Sequence, residues 1–265
     1  MALLALLLAL PAAAQPVQAP LAHDGTVPVW LTAGPFEQPV VGFGVPADAD
    51  VIGEATAQPS EGDAEASPWA AGGTVTWRPA APGHDGFLDF HAAFADVAPG
   101  DGPERIAWAK AGYAYTTLVS AEAQDVLLLA GSNSRLAVFL DGDRVHAFDG
   151  DRNAVADQDT VRLHLAPGSH RLLVKVGQSH RNEALQFFAP LEWQWGFYAR
   201  LLRPDGTPAD SLPRPSGVEA RVDLAGGAPE AVVASSIFFR ETPEGLRQRY
   251  DLTLTRRDLR PASGE

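Results

Sequence analysis

Between Tyr113 and Arg203 the sequence is a succession of short apolar runs, each closed by turn chemistry, and this rhythm constrains the fold more than any other feature of the chain. The runs fall at residues 114–118, 125–129, 136–140, 161–165, 171–176 and 195–201, and are rich in β-branched, leucine and aromatic residues. Short strands at this spacing are the pattern of an antiparallel β-sandwich. Asp141-Gly142 suits a type I′ hairpin, whose two central residues both need positive φ. Ala166-Pro167-Gly168-Ser169 suits a type II turn, because proline presets φ at the second position and glycine accepts positive φ at the third. Both turns are expected to close hairpins.

Alternation sorts the side chains, since successive residues of a strand face opposite sides of its sheet. Val161, Leu163 and Leu165 share a face against Arg162 and His164, and Leu172, Val174 and Val176 share one against Arg171, Leu173 and Lys175. In the last run Trp193, Trp195, Phe197, Ala199 and Leu201 fall together, opposite Gln194, Tyr198 and Arg200. The Trp195-Phe197-Leu201 side is expected to be core.

Several strings carry a family resemblance. Gly131-Ser132-Asn133-Ser134-Arg135-Leu136-Ala137-Val138-Phe139-Leu140-Asp141-Gly142, then residues 157–161, Leu165-Ala166-Pro167-Gly168, Leu173-Val174-Lys175-Val176 and Trp195-Gly196-Phe197 resemble the galactose-binding-like jelly-roll domain. Residues 29–36, followed by Gly53-Glu54, are similar to the first strand of such modules. The resemblance spans roughly residues 27–205, and it extends to the sugar-binding domain of family 2 glycoside hydrolases and related bacterial secreted modules. It implies an all-β, jelly-roll sandwich that binds carbohydrate beside catalytic modules. Asp141-Gly142 stands where Asn-Gly is common, and Gly168-Ser169-His170 where Gly-x-Asn is common. Both changes keep the turn but carry over no family ligand residue.

The remainder of the chain is organised around this sandwich. Residues 2–10 are apolar and lead to Ala12-Ala13-Ala14, so 1–14 reads as a secretory signal peptide, too short to span a bilayer, although no Lys or Arg precedes the apolar run. The sandwich is placed at 24–208 and a proline-stiffened linker at 209–217. Residues 218–265 are a β-rich extension that either packs back on the sandwich or begins a truncated second module. The chain has no cysteine, which removes a lipid-anchored cysteine, disulfides and thiolate metal sites. A formal net charge of −13 and the lack of a basic stripe exclude a nucleic-acid role. The expectation is a secreted, periplasmic or extracellular monomer without a membrane span.

Candidate ligand residues are those where an aromatic face or a charged fork meets solvent. Residues 45–73 read as a surface excursion, within which Trp69 is either a sugar-stacking platform or a plug on the sandwich rim. With it go Trp193, Tyr198, Arg200 and Arg152, as an aromatic platform with flanking hydrogen-bonding groups; Trp193 belongs here only if the strand begins after it. The acidic residues are concentrated between 141 and 159. Asp149-x-Asp151-x-Asn153 with Asp157 imitates positions one, three, five and nine of an EF-hand loop, but Ala154 replaces the required glycine and Thr160 the closing glutamate. That leaves a looser structural Ca²⁺ site at Asp149, Asp151, Asn153 and Asp157, set against solvated turn residues; no cofactor is required.

No zinc, nucleophile-elbow, phosphate-loop or dinucleotide motif occurs. The expected function is a non-catalytic carbohydrate-binding module or accessory protein. The alternatives are a structural or assembly domain supporting a partner hydrolase or surface complex, and a glycoside hydrolase with an unrecognised carboxylate pair.

Overall fold

The computed structural model describes residues 15–38, 40–41, 45–46, 49–97, 109–150, 152–179, 194–209, 217–224, 231–238, 248–255 and 260–261. The expected signal segment 1–14, most of the expected linker, Asp151 and Trp193 lie outside the described residues. The strands are β1 (Gln15–Pro20), β2 (Trp30–Glu37), β3 (Val40–Val41), β4 (Val45–Pro46), β5 (Ala64–Ala66), β6 (Thr74–Thr76), β7 (Arg78–Ala80), β8 (Phe87–Asp89), β9 (Ala109–Ser120), β10 (Gln124–Ser132), β11 (Leu136–Leu140), β12 (Asp143–Phe148), β13 (Asp159–Leu165), β14 (Gly168–Ser179), β15 (Gly196–Leu202), β16 (Val218–Leu224), β17 (Ala231–Phe238), β18 (Gln248–Thr255) and β19 (Arg260–Pro261). The described helix α1 (Phe90–Ala93) is a single turn capped by Asp89, whose carboxylate accepts from the His91 and Ala92 backbone N–H groups.

Two antiparallel sheets face each other, so the all-β sandwich expectation is borne out. The larger runs β12-β11-β14-β9-β16-β1-β19, with β2 on β9 and β7 on β2; the smaller runs β13-β10-β15-β8. One edge of β9 pairs with β14 along its whole length, while the other is shared by β2 and β16. The inner faces follow the alternation. Leu172, Val174 and Val176 are buried on one sheet, and Val161, Leu163, Leu165, Phe197 and Leu201 on the other. Trp30 of β2 meets Phe197 of β15 edge to face, with ring centroids 5.2 Å apart. Such pairs add to the burial of the rings themselves.

The Asp141-Gly142 turn closes the β11–β12 hairpin, with φ of 54° at Asp141 and 97° at Gly142 as type I′ requires. The Pro167-Gly168 turn does not close a hairpin. β13 pairs with β10 and β14 with β9 and β11, so the turn carries the chain from one sheet to the other. Turn residues set the local reversal, but which strand becomes the partner depends on where the apolar faces are buried. Here each strand buries its own face against the opposite sheet.

The excursion differs from expectation as well. Residues 49–57 form a strap across the outer face of the large sheet, with Val51, Ile52 and Ala57 packed against the core. Asp50 organises the strap by accepting from the backbone N–H groups of Ile52, Gly53 and Glu54. Glu54 then reaches inward, where its Oε1 accepts from Lys175 Nζ and from Tyr113 Oη, each at 2.8 Å. Lys175 Nζ also donates to the Ala49 carbonyl at 2.7 Å. Burial, with the Glu54 charge second, pushes the Tyr113 phenol far above its ordinary value.

Residues 218–224 pack back on the sandwich. β16 pairs with both β9 and β1, and Val218, Ala220, Val222 and Leu224 are buried. The sheet therefore extends past both bounds of the expected 24–208 unit, because β1 and β16 supply each other's hydrogen bonds. β17 and β18 pair with each other as a two-stranded ribbon, and β17 runs close to β7, β8 and α1.

Candidate functional site

The outer face of the small sheet brings the sequence-named groups Tyr198, Arg200 and Asp157 together. Tyr198 and Arg200 lie two residues apart on β15 and so point the same way, about 7 Å apart along the strand. Tyr198 is flanked by Gly131 of β10 and Phe87 of β8. Its half-exposed ring leans on the Phe87 ring at 5.0 Å between centroids, and its hydroxyl donates to Asp85 Oδ2 at 3.1 Å. Burial, then the adjacent Asp85 carboxylate, raises the phenol above its usual range, so it stays a hydroxyl donor.

Arg200 forms a fork on Asp157. Its Nε donates to Oδ1 at 2.8 Å and its Nη2 to Oδ2, with both side chains about one-third exposed. The Asp157 hydrogen bonds, ahead of its charge, hold the guanidinium still more firmly protonated. Bidentate guanidinium–carboxylate pairs fix a plane of donors and acceptors.

Asp157 is delivered by the 152–158 connection, which lies directly on β10. A Cβ at Gly131 would stand 1.8 Å from the Val155 carbonyl oxygen, so only glycine permits that approach. Gln158 pins the same loop, donating to the Asn153 carbonyl and accepting from the Ser132 N–H.

Arg152 and Trp69 go elsewhere. Arg152 is a structural clip whose Nη1 and Nη2 engage both Asp159 oxygens, while Nε donates to the Ser132 carbonyl. Its guanidinium lies 3.8 Å over the Phe148 ring, and its side chain is only 15 % exposed. Trp69 sits in the β5–β6 turn, which is tied to β2 by Ser67 Oγ donating to the Pro35 carbonyl. Its Nε1 is buried with no partner among the described residues, so that edge of the indole is turned away from solvent. The structure thus leaves Trp69 apart from the Tyr198 face.

Of the calcium set, Asp151 lies outside the described residues, and the other three are not gathered at one point. Asp149 pairs with Arg135 at 2.8 Å and Asp157 with Arg200, while Asn153 is exposed. No three His, Asp or Glu side chains among the described residues are grouped to hold a metal ion. Asp149 and Asp157 thus each face a different arginine.

A concavity on the large sheet, lined in part by Gln38, Arg135, Phe148 and Lys175, has a volume of about 30 Å³. That accommodates water and is far too small for a sugar ring. No helix among the described residues is long and apolar enough to cross a membrane.

Asp85 and Phe87 escaped the sequence reading. Their only signal was the Asp85-Gly86 turn before a short apolar run.

No protein-family model matches this sequence, and no curated protein does. Among solved structures, the chain is similar to the PA14 domain of the MpAFP antifreeze protein, at 13% identity and a TM-score of 0.37, covering 77% of this chain and 93% of that one. It is also similar to the PA14 sugar-binding domain of an RTX adhesin, at 10% identity and TM-score 0.29, covering 86% and 98%. A third is the GH2 β-galacturonidase of Eisenbergiella tayi, at 13% identity and TM-score 0.30, where the match covers 88% of this chain and 29% of the enzyme.

Proposed function

We propose that the chain is an exported, non-catalytic carbohydrate-binding module whose ligand lies along β15 on the outer face of the small sheet. The observation that carries this is the side-by-side placement of the Tyr198 ring and the Arg200–Asp157 fork. A tyrosine ring offers an apolar face to the C–H face of a pyranose, while its hydroxyl and the fork supply directional hydrogen bonds to ring hydroxyls. Sites of this kind combine an apolar body with a few fixed polar groups. Export follows from the leader at 1–14, and cleavage after Ala14 leaves β1 whole from Gln15. The protein acts as a monomer and needs no metal.

The test is a glycan-array screen of the exported chain with calcium and again with chelator, followed by titration of the best ligand. Saturable, chelator-insensitive binding is expected, with Tyr198→Ala and Arg200→Ala each weakening it roughly tenfold, or ~1.4 kcal/mol, and Trp69→Ala leaving it unchanged. Chelator sensitivity would restore the acidic loop as a metal site. Binding that survives Tyr198→Ala, or no binding from a demonstrably folded sample, overturns the proposed face. Sugar turnover abolished by a carboxylate substitution would move the protein to the hydrolases.

A further inference from the structure

The chain has only two lysines, Lys110 and Lys175. Lys175 is committed to Glu54, whereas Lys110 forms no ion pair or hydrogen bond with any described residue through its amine. It lies near the start of β9, beside Glu37 of β2 and Gln178 of β14 in the register, on the face that Gly112 continues. Gly112 lacks a side chain where a Cβ would stand 2.6 Å from the Phe90 ring, so the ring of α1 presses directly on β9. Behind it Phe90 and Phe94 pack on Trp195 at 5.4 and 5.5 Å between centroids. The Lys110 amine sits over this indole, 4.3 Å from its centroid, and the His91 ring meets the same indole at 5.6 Å.

We propose that Lys110 is a reactive amine that condenses with small aldehydes at this aromatic end of the sandwich. An ammonium held half-buried on apolar surface, with no carboxylate among the described residues paired to it, favours its neutral and nucleophilic form. The indole face stabilises the cation and offsets part of this, yet it is one weak partner where water would supply three. Burial lowers the Lys110 amine to about 8. Burial, and then the positive charge of Lys110, lower His91 to about 4, so the neighbouring imidazole is neutral at physiological pH. In the reaction the amine nitrogen attacks the carbonyl carbon. The resulting carbinolamine loses its oxygen as water, leaving an imine, with one water released for each bond made. The aromatic rings exclude water from one side of that imine and offer a surface to an aryl aldehyde.

The test treats the full chain with benzaldehyde and sodium cyanoborohydride at neutral pH, and reads the reduced benzyl adducts by peptide mass mapping. Nα-acetyl-lysine amide in the same tube is the reference. Lys110 is expected to be labelled at least about tenfold faster than the reference, because a larger fraction of it is unprotonated. Lys175 is expected to stay unlabelled, and Lys110→Arg to leave no adduct beyond the α-amino group. Labelling of Lys110 no faster than the free amine, or slower than Lys175, overturns the proposal without depending on how any variant folds.

Discussion

Arg152 shows how a residue chosen for its chemistry can be spent on holding the fold. The sequence offers it as a hydrogen-bonding group flanking an aromatic platform, but its guanidinium fork is occupied by Asp159 and Ser132, and its plane lies on Phe148. Arg152→Ala leaves a largely buried carboxylate without its partner and is expected to destabilise the protein by roughly 2–4 kcal/mol in urea unfolding. Arg152→Lys should recover little of this, since an ammonium cannot make the bidentate contact. The same pair sets a pH dependence. Burial pushes the Asp159 carboxyl up, but the hydrogen bonds and charge of Arg152, with His146 beyond them, outweigh it and hold the group below its ordinary value of 3.8. A carboxylate depressed in the folded state contributes stability that is complete above the unfolded pKa and lost as pH falls through the folded one. The melting temperature should therefore drop as pH falls from about 5 to about 2, and that slope should be shallower in Asp159→Asn.

At the scale of elements, the strap over the large sheet is held by a buried charge pair. The Lys175 and Glu54 side chains are 6 % and 10 % exposed. Glu54→Ala strands the Lys175 ammonium beneath the strap and is expected to cost about 3–5 kcal/mol, with limited proteolysis then cutting within residues 49–63. Adding Lys175→Met should recover most of that loss; an equally unstable double variant would sink the explanation. Strands were legible where a period of two ran uninterrupted. Alternation in 161–165, 171–176 and 195–201 assigned the buried faces of β13, β14 and β15, and so put Tyr198 and Arg200 on one outer face. What alternation cannot supply is a partner distant in sequence. Asp85 meets Tyr198 across 113 residues and Asp157 meets Arg200 across 43, so neither contact left a local trace. The strap was invisible for a related reason. Val51 and Ile52 are its only large apolar residues, and its main anchor is a glutamate that composition assigns to solvent.

For the whole molecule, the question is where the cooperative unit ends. The sequence expectation sets a boundary at 208, ahead of Pro213 and Pro215, yet β16 beyond them fills the β9 edge left open past β2 and pairs β1 along its length. Val218, Val222 and Leu224 are 0 %, 1 % and 0 % exposed. Burying each contributes roughly 1.5–3 kcal/mol, so the strand supplies about 5–9 kcal/mol before its ordering entropy is set against it. The net stability of a domain is only about 5–15 kcal/mol. A fragment of residues 15–209 is thus expected to lose most of its stability and to bare the β9 edge, giving a broadened or absent thermal transition and aggregation. A fragment of residues 15–224 keeps both β1 and β16 and should melt cooperatively. If residues 15–209 alone melt as sharply and as high as residues 15–224, β16 is an accessory to the sandwich, and the boundary belongs where the prolines suggested.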